Sequence, residues 1–338
     1  MDNPKQFLRV FGDSTLIQNT VARLQGLIPP ERVFVVTHRR YVEQTRAQLP
    51  AVPRDNILAE PVARNTAPCI TFAAIKLLAG DPDATMVVLP ADHVITNVER
   101  FHIVLRVAID KAQEAGTLVT IGINPTHPET GYGYIQFDGP TDLEADEPVA
   151  LPVKTFAEKP DLATAERFLD SGDFLWNSGM FVWRADTILE AVRDLLPEAY
   201  EAFEPLREAV GTPGEEEAVE HAYAQSPHIS IDYGVMERAE KVYVVPASFG
   251  WNDVGDWRAV YDLSEKNGHG NALIGNVIVH DSSRCLVQAN KRLVVLVGIH
   301  DAVVVDTEDA VLICNRESAQ QVKNVVDYLH AHQLDEFV

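Results

Sequence analysis

The chain has 338 residues, 46% of them hydrophobic, enough for one large core with room for a small appendage. A formal charge of -22, from 50 acidic against 28 basic side chains, excludes nucleic acid and an anionic membrane surface as partners, because phosphates demand a basic face. Cys69, Cys285 and Cys314 lie far apart without CxxC spacing, so neither a zinc site nor a disulfide framework is indicated, and a reduced, cytoplasmic chain is expected. The apolar run around Leu293 to Val297 falls far short of the ~20 residues that span a bilayer, and no signal-peptide pattern opens the chain.

In chain order, Pro4 to Leu8 reads as a loop entering a helix, and Ile17, Val21 and Leu24 mark one helical face. The β-branched runs Arg32–Thr37, Thr85–Pro90 and Thr117–Ile123 read as buried parallel strands. Thr66 to Leu78 reads as a helix that tolerates Pro68 in its first turn. Alternation of strand and helix implies a parallel sheet with crossover helices and a site at the strands' carboxyl ends. "PTDLEADEP" (Pro140 to Pro148) and "GTPGEEEAVE" (Gly211 to Glu220) read as solvated loop or exposed helix start. After Trp257, short strands recur at roughly ten-residue spacing between Asp, Asn, Ser and Gly turns, the rhythm of a parallel β-helix or of a meander. The tail carries a capping-box spacing from Ser318 to Gln321, then Val322, Val325, Val326 and Leu329 on one helical face.

Several stretches carry chemistry. "LPADHVI" puts Asp92 and His93 past the end of an apolar strand, where hard cations and phosphates are held, although a helix N-cap is the competing reading for Asp92. "FGWNDVGDW" sets Asp253 and Asp256 among aromatics and glycines, which local sequence alone reads as a Trp-rich, turn-forming corner, while Asp253 paired with Asp92 could complete a metal site. In "FAEKPD", Glu158 and Lys159 would point to opposite faces of a strand unless the chain bends there. "GYGYI" (Gly131 to Ile135) and "WNSGMFVW" (Trp176 to Trp183) place small residues beside hydrogen-bonding ones, a composition suited to a sugar ring.

Taken in order, "PKQFL", "EPVARNTAP", "VLPADH", "PETGYGYI", "FAEKPD", "WNSGMFVW", "SIDYGVME" and "FGWNDVGDW" resemble the successive signature segments of the mannose-1-phosphate guanylyltransferase family. The resemblance runs from Pro4 to Trp257, and the β-rich tail is similar to that family's C-terminal β-helix. It implies a Rossmann-like α/β nucleotidyltransferase domain with a mixed, mostly parallel sheet over residues 1–262, and a small β-helix-like domain with a C-terminal helix over residues 263–338.

By resemblance, the activity is transfer of GMP from GTP to mannose 1-phosphate, giving GDP-mannose and pyrophosphate, with Mg²⁺ held by Asp92 and Asp253. Lys5 would face the nucleotide's phosphates, and Asn65 and Thr66 would lie on the guanine side. Glu158, Asn177, Gly133 and Tyr132 would shape the sugar pocket, and Lys159 would meet the sugar phosphate. In the family, "PKQFL" follows a first strand and a glycine-rich segment of the type GGxGxRxWPxSR, whose backbone N–H groups cradle the triphosphate. The expectation is a start placed at an internal methionine rather than a truncation, with the 338-residue form impaired by two unpaired strand edges. A single activity is expected, without the isomerase segment of some relatives, and the tail is the expected contact for a homodimer. Two alternatives stay open: a nucleotidyltransferase for another sugar 1-phosphate, and a noncatalytic regulatory subunit that binds GDP-mannose.

Overall fold

The computed structural model describes residues 4–10, 12–139 and 148–334. Most of the acid-rich stretch Pro140 to Pro148 thus lies outside the described residues. The chain divides into two compact units: a sheet unit of Thr20–Ala91 and Ile95–Trp251, and a coil unit of Met1–Asn19, Asp92–Val94 and Asn252–Val338.

The strands up to Asn252 are β1 (Val35–His38), β2 (Ile57–Glu60), β3 (Thr85–Val88), β4 (Val94–Ile95), β5 (Leu118–Ile123), β6 (Tyr134–Phe137), β7 (Leu151–Ala157), β8 (Phe174–Arg184), β9 (Val242–Ala247) and β10 (Trp251–Asn252). β1 and β2 form a parallel pair. The main sheet of the first unit runs β3-β8-β5-β9-β7-β6, and β8 also reaches β6. It is mixed, as expected: β3, β5, β6 and β9 run one way, β7 and β8 the other. The sequence did not show that β8 lies antiparallel between β3 and β5, which leaves β5 and β9 as the sheet's parallel neighbours.

Burial follows position in the sheet. β5 is buried at every residue, as its continuous apolar run requires, whereas β1 and β3 are only partly buried, because β3 lies at an edge and β1 in a two-stranded pair. The helix Val98–Ala112 packs Phe101, Val104, Leu105, Ala108 and Ala112, a 3.6-residue stripe, toward β5, β8 and β9. Each large side chain so buried contributes about 1.5–3 kcal/mol. The helix Thr66–Gly80 matches the expected one, with Pro68 in its first turn where no backbone N–H is needed. It packs against the helices Ala185–Leu195 and Pro197–Ala209. "GTPGEEEAVE" proves to be the start of an acidic helix, Glu215–Gln225.

In the coil unit, β11 (Ala272–Ile274), β13 (Leu286–Gln288) and β15 (Ala302–Asp306) stack in parallel, as do β12 (Val277–His280) and β14 (Val294–Val297), while β16 (Val311–Asn315) closes antiparallel on β15. This is the β-helix alternative rather than the meander. Ala272, Leu286 and Val303 form one inward column. Buried Asn271 closes a corner, its amide donating to Ser282 O (2.9 Å) and accepting from Cys285 N (3.0 Å).

Gly275, at φ +87°, lets one coil sit on the next: a Cβ there would lie 2.1 Å from the carbonyl oxygen of Ala289, which backbone cannot yield. Gly275→Ala is therefore expected to cost roughly 3 kcal/mol or more, from positive-φ strain plus overpacking. Chemical denaturation reads the cost, and an unchanged midpoint would refute it.

The tail departs from its expected start. Asn315, not Ser318, caps a 3-10 turn at Arg316–Gln321, and the α-helix begins at Val322. Val322, Val326 and Leu329 are only half-buried, and Val325 is exposed, so the helix packs one narrow face. The three cysteines are free thiols, and no helix among the described residues is long and apolar enough to cross a membrane.

Candidate active site

Two clusters of the expected residues form, one in each unit. In the coil unit, Lys5 lies in a single 3-10 turn, Lys5–Phe7, pinned by buried Phe7. Its Nζ donates to Asp92 Oδ2 (3.2 Å) and to the carbonyl oxygen of Asp253, so one ammonium gathers both acidic residues. Asp92 caps no helix: the next one, Val98–Ala112, is capped by Asn97, whose Oδ1 accepts from Arg100 N at 2.9 Å. The two aspartates of "FGWNDVGDW" separate by role. Asp256 caps the helix Trp257–Leu263 through Ala259 N (2.9 Å), whereas Asp253 accepts from Gly255 N (3.1 Å) inside a tight turn.

That turn is strained. Val254, β-branched and buried, sits at φ +53°, a conformation costing about 1–3 kcal/mol that persists only where its surroundings hold it. The Asn252 side chain supplies part of that hold, accepting from Val254 N at 2.6 Å. Among the described residues, no group of three or more His, Cys, Asp or Glu side chains converges as a metal cage. A pair of carboxylates suits a hard cation that takes one or two protein oxygens and completes its shell from phosphates.

In the sheet unit, β7 ends at Ala157, and the chain bends at Lys159, φ +44°. The bend overrides the opposite-faces rule of a straight strand: Lys159 Nζ lies 3.3 Å from Glu158 Oε1. Gly133 approaches the same carboxylate so closely that a Cβ would lie 2.5 Å from Glu158 Oε2. Asn177 sits at a bulge of β8, where the register against β5 shifts between Thr120 and Gly122 and Gly179 takes φ +68°. Its backbone N donates to Gly133 O (2.8 Å), its Oδ1 accepts from Gly179 N (3.1 Å) and its Nδ2 donates to Asp232 Oδ1 (2.7 Å). Tyr132 stands edge-on to Trp176 and Trp251, with ring centroids 5.3 and 5.2 Å apart.

Asp232 lies in "SIDYGVME", but no spacing rule marks an aspartate whose partner, Asn177, is 55 residues away. Burial pushes its carboxyl above the ordinary 3.8, against the opposing pull of the Asn177 bond and the Lys159 charge. Ionisation thus costs more in the fold than in the unfolded chain. Its contribution to stability is full below about pH 3.8 and is lost as pH rises through the folded value. Asp232→Asn cannot ionise, so it is expected to raise the melting temperature near pH 7 and to lose that gain by about pH 4. Melting curves across pH check this, and a pH-independent gain would contradict it.

Asn65, at φ +70°, and Thr66 are exposed at the N-terminus of the helix Thr66–Gly80. Asn65 Oδ1 accepts from Thr66 N (2.8 Å), and Thr66 Oγ1 accepts from Ile231 N (2.8 Å). Arg64 anchors the preceding loop by donating to Tyr223 O (3.0 Å) and Ala224 O (3.3 Å), and Tyr223 Oη donates to Glu60 Oε1 (2.9 Å). Burial raises the Glu60 carboxyl, opposed by that bond. Thr66 and Asp232 are thereby joined through one backbone step, Ile231.

The nucleotidyl transferase family model matches residues 1–269, and a model of the MannoseP isomerase/GMP-like beta-helix domain matches residues 275–329. A mannose-1-phosphate guanylyltransferase of Escherichia coli is 41% identical over 337 residues, 99% of this chain and 71% of that protein. The chain belongs to the mannose-1-phosphate guanylyltransferase family. The alginate biosynthesis protein AlgA of Pseudomonas aeruginosa is 41% identical over 331 residues, 97% of this chain and 68% of that protein. Among solved structures, a Thermus thermophilus protein named mannose-1-phosphate geranyltransferase superposes with a TM-score of 0.84 at 34% identity, covering 97% of this chain and 92% of that one. In this guanylyltransferase family setting, the α/β nucleotidyltransferase fold with its C-terminal β-helix-like part stands as expected.

Proposed function

We propose that the chain transfers GMP from GTP to mannose 1-phosphate. A phosphate oxygen of the sugar phosphate bonds to the α-phosphorus of GTP, the bond from that phosphorus to the bridging oxygen breaks, and pyrophosphate leaves with the electron pair. The attacking group is already an anion, so no strong general base is needed; alignment and charge neutralisation do the catalysis. The supporting observation is the similarity to relatives named for this activity, which spans 99% of the chain and so includes both clusters.

Asp92 and Asp253 would hold Mg²⁺, which fits their two hard carboxylates and supplies charge neutralisation to the phosphates when bound. Lys5, paired with the Asp92 carboxylate and bonded to the backbone carbonyl of Asp253, would face the nucleotide's phosphates and adds a positive charge. Asn65 and Thr66 present a helix N-terminus to the guanine nucleotide. Glu158 accepts hydrogen bonds from sugar hydroxyls, Asn177 both donates and accepts, and Gly133 keeps their approach open, with Tyr132 as an apolar wall. Lys159, brought alongside Glu158 by the bend, would meet the sugar phosphate. A homodimer belongs to the same reading, supported by exposed apolar Ile278, Val295 and Val297 on β12 and β14, and sedimentation velocity tests it.

Pyrophosphate release across GTP, UTP, dTTP and ATP, each with mannose 1-phosphate and glucose 1-phosphate, tests the activity. GTP with mannose 1-phosphate is expected to be fastest. Faster release with UTP or dTTP and glucose 1-phosphate would replace the substrate assignment, and GDP-mannose binding without turnover would mean a regulatory subunit.

A further inference from the structure

We infer that Asp232 is a positioning residue for sugar recognition, fixing the side-chain amide of Asn177 in one orientation. The inference rests on reading the Glu158, Gly133 and Asn177 cluster as the sugar site.

An asparagine amide can flip end for end unless its neighbours distinguish donor from acceptor. At Asn177 they do. Nδ2 donates to Asp232 Oδ1 at 2.7 Å, a short charge-assisted bond, and Oδ1 accepts from Gly179 N at 3.1 Å. A carboxylate accepts only and a backbone N–H donates only, so the flipped amide would face both with the wrong group. One Nδ2 hydrogen and one Oδ1 lone pair remain for a ligand, and their directions are set. This matters for a hydroxyl, which both donates and accepts and is read best by a donor and an acceptor held at fixed places.

Asp232 is itself held from the backbone. It opens the π-helical turn Asp232–Met236, in which Glu237 N bonds to its carbonyl (3.0 Å). Ile231 N just before it bonds to Thr66 Oγ1 (2.8 Å), and Ile229 N to Arg64 O (3.3 Å). One side of the amide is therefore referenced to the helix N-terminus at Thr66 and the other to the bulge of β8. Among the described residues, the side chain that donates to the Asp232 carboxylate is that of Asn177, so this contact is the one that orients the amide.

Steady-state kinetics of the whole protein tests the role. Asp232→Ala is expected to raise KM for mannose 1-phosphate roughly tenfold or more, with KM for GTP within twofold. Asp232→Asn, whose amide oxygen can still accept from Asn177, is expected to recover most of that loss. Equal rises in both KM values, or an Asn variant no better than the Ala one, would overturn the role. If the unsubstituted protein turns over no sugar phosphate, the reading of the site has failed, and the positioning role is still read by NMR of the asparagine side-chain amides. The Asn177 amide signals should move in Asp232→Ala and stay near their original places in Asp232→Asn; signals unmoved in Asp232→Ala would overturn it.

Discussion

Asp253→Asn is expected to slow pyrophosphate release by about a thousandfold or more, some 4 kcal/mol of transition-state stabilisation, while leaving the fold intact. The reasoning separates charge from shape. The asparagine oxygen can still accept from Gly255 N, and the backbone carbonyl of residue 253 still receives Lys5, so the turn survives. Lost is one negative charge of the two that would hold a divalent cation. Asp92→Asn should behave alike, and in both variants Mn²⁺ affinity measured by calorimetry should fall together with the rate. Asp256 provides the contrast. It caps the helix Trp257–Leu263, asparagine caps about as well as aspartate, and Asp256→Asn should leave rate and stability nearly unchanged. Turnover of Asp253→Asn within tenfold of the unsubstituted protein would remove Asp253 from the metal site.

Gly133→Ala should raise KM for mannose 1-phosphate by roughly ten- to a hundredfold, the range for losing one hydrogen bond to a charged group, with little change in melting temperature. The added methyl would lie 2.5 Å from Glu158 Oε2 and 3.4 Å from Asn177 Cβ. Gly133 has no positive φ, so alanine meets no backbone strain. The nearest atom is the tip of a flexible side chain beyond the end of β7, which can swing aside at small cost to the fold. The price appears in binding, because the displaced carboxylate is the one read as accepting from the sugar. A large drop in melting temperature with KM unchanged would mean that Gly133 serves packing instead.

The sequence by itself determined the elements and the order of the motifs. Residues within four positions of each other decide whether a helix such as Thr66–Gly80 or a buried strand such as Leu118–Ile123 forms, and those were legible from periodicity. The recurring turns after Trp257 were legible too, though not the choice between coil and meander, which depends on which strand pairs with which. The capping box at Ser318 misled because Asn315 offered an earlier cap. Tertiary structure alone decided the rest. β8 runs antiparallel between β3 and β5, Lys5 meets Asp92 across 87 residues, and Asp232 takes the amide of Asn177 across 55. The positive φ of Val254 and Lys159 belongs to the same class: neither residue favours it, and it survives because packing and hydrogen bonds elsewhere outweigh a local cost of about 1–3 kcal/mol. Local propensity reads neighbours along the chain, whereas a site is made by partners that only folding brings together.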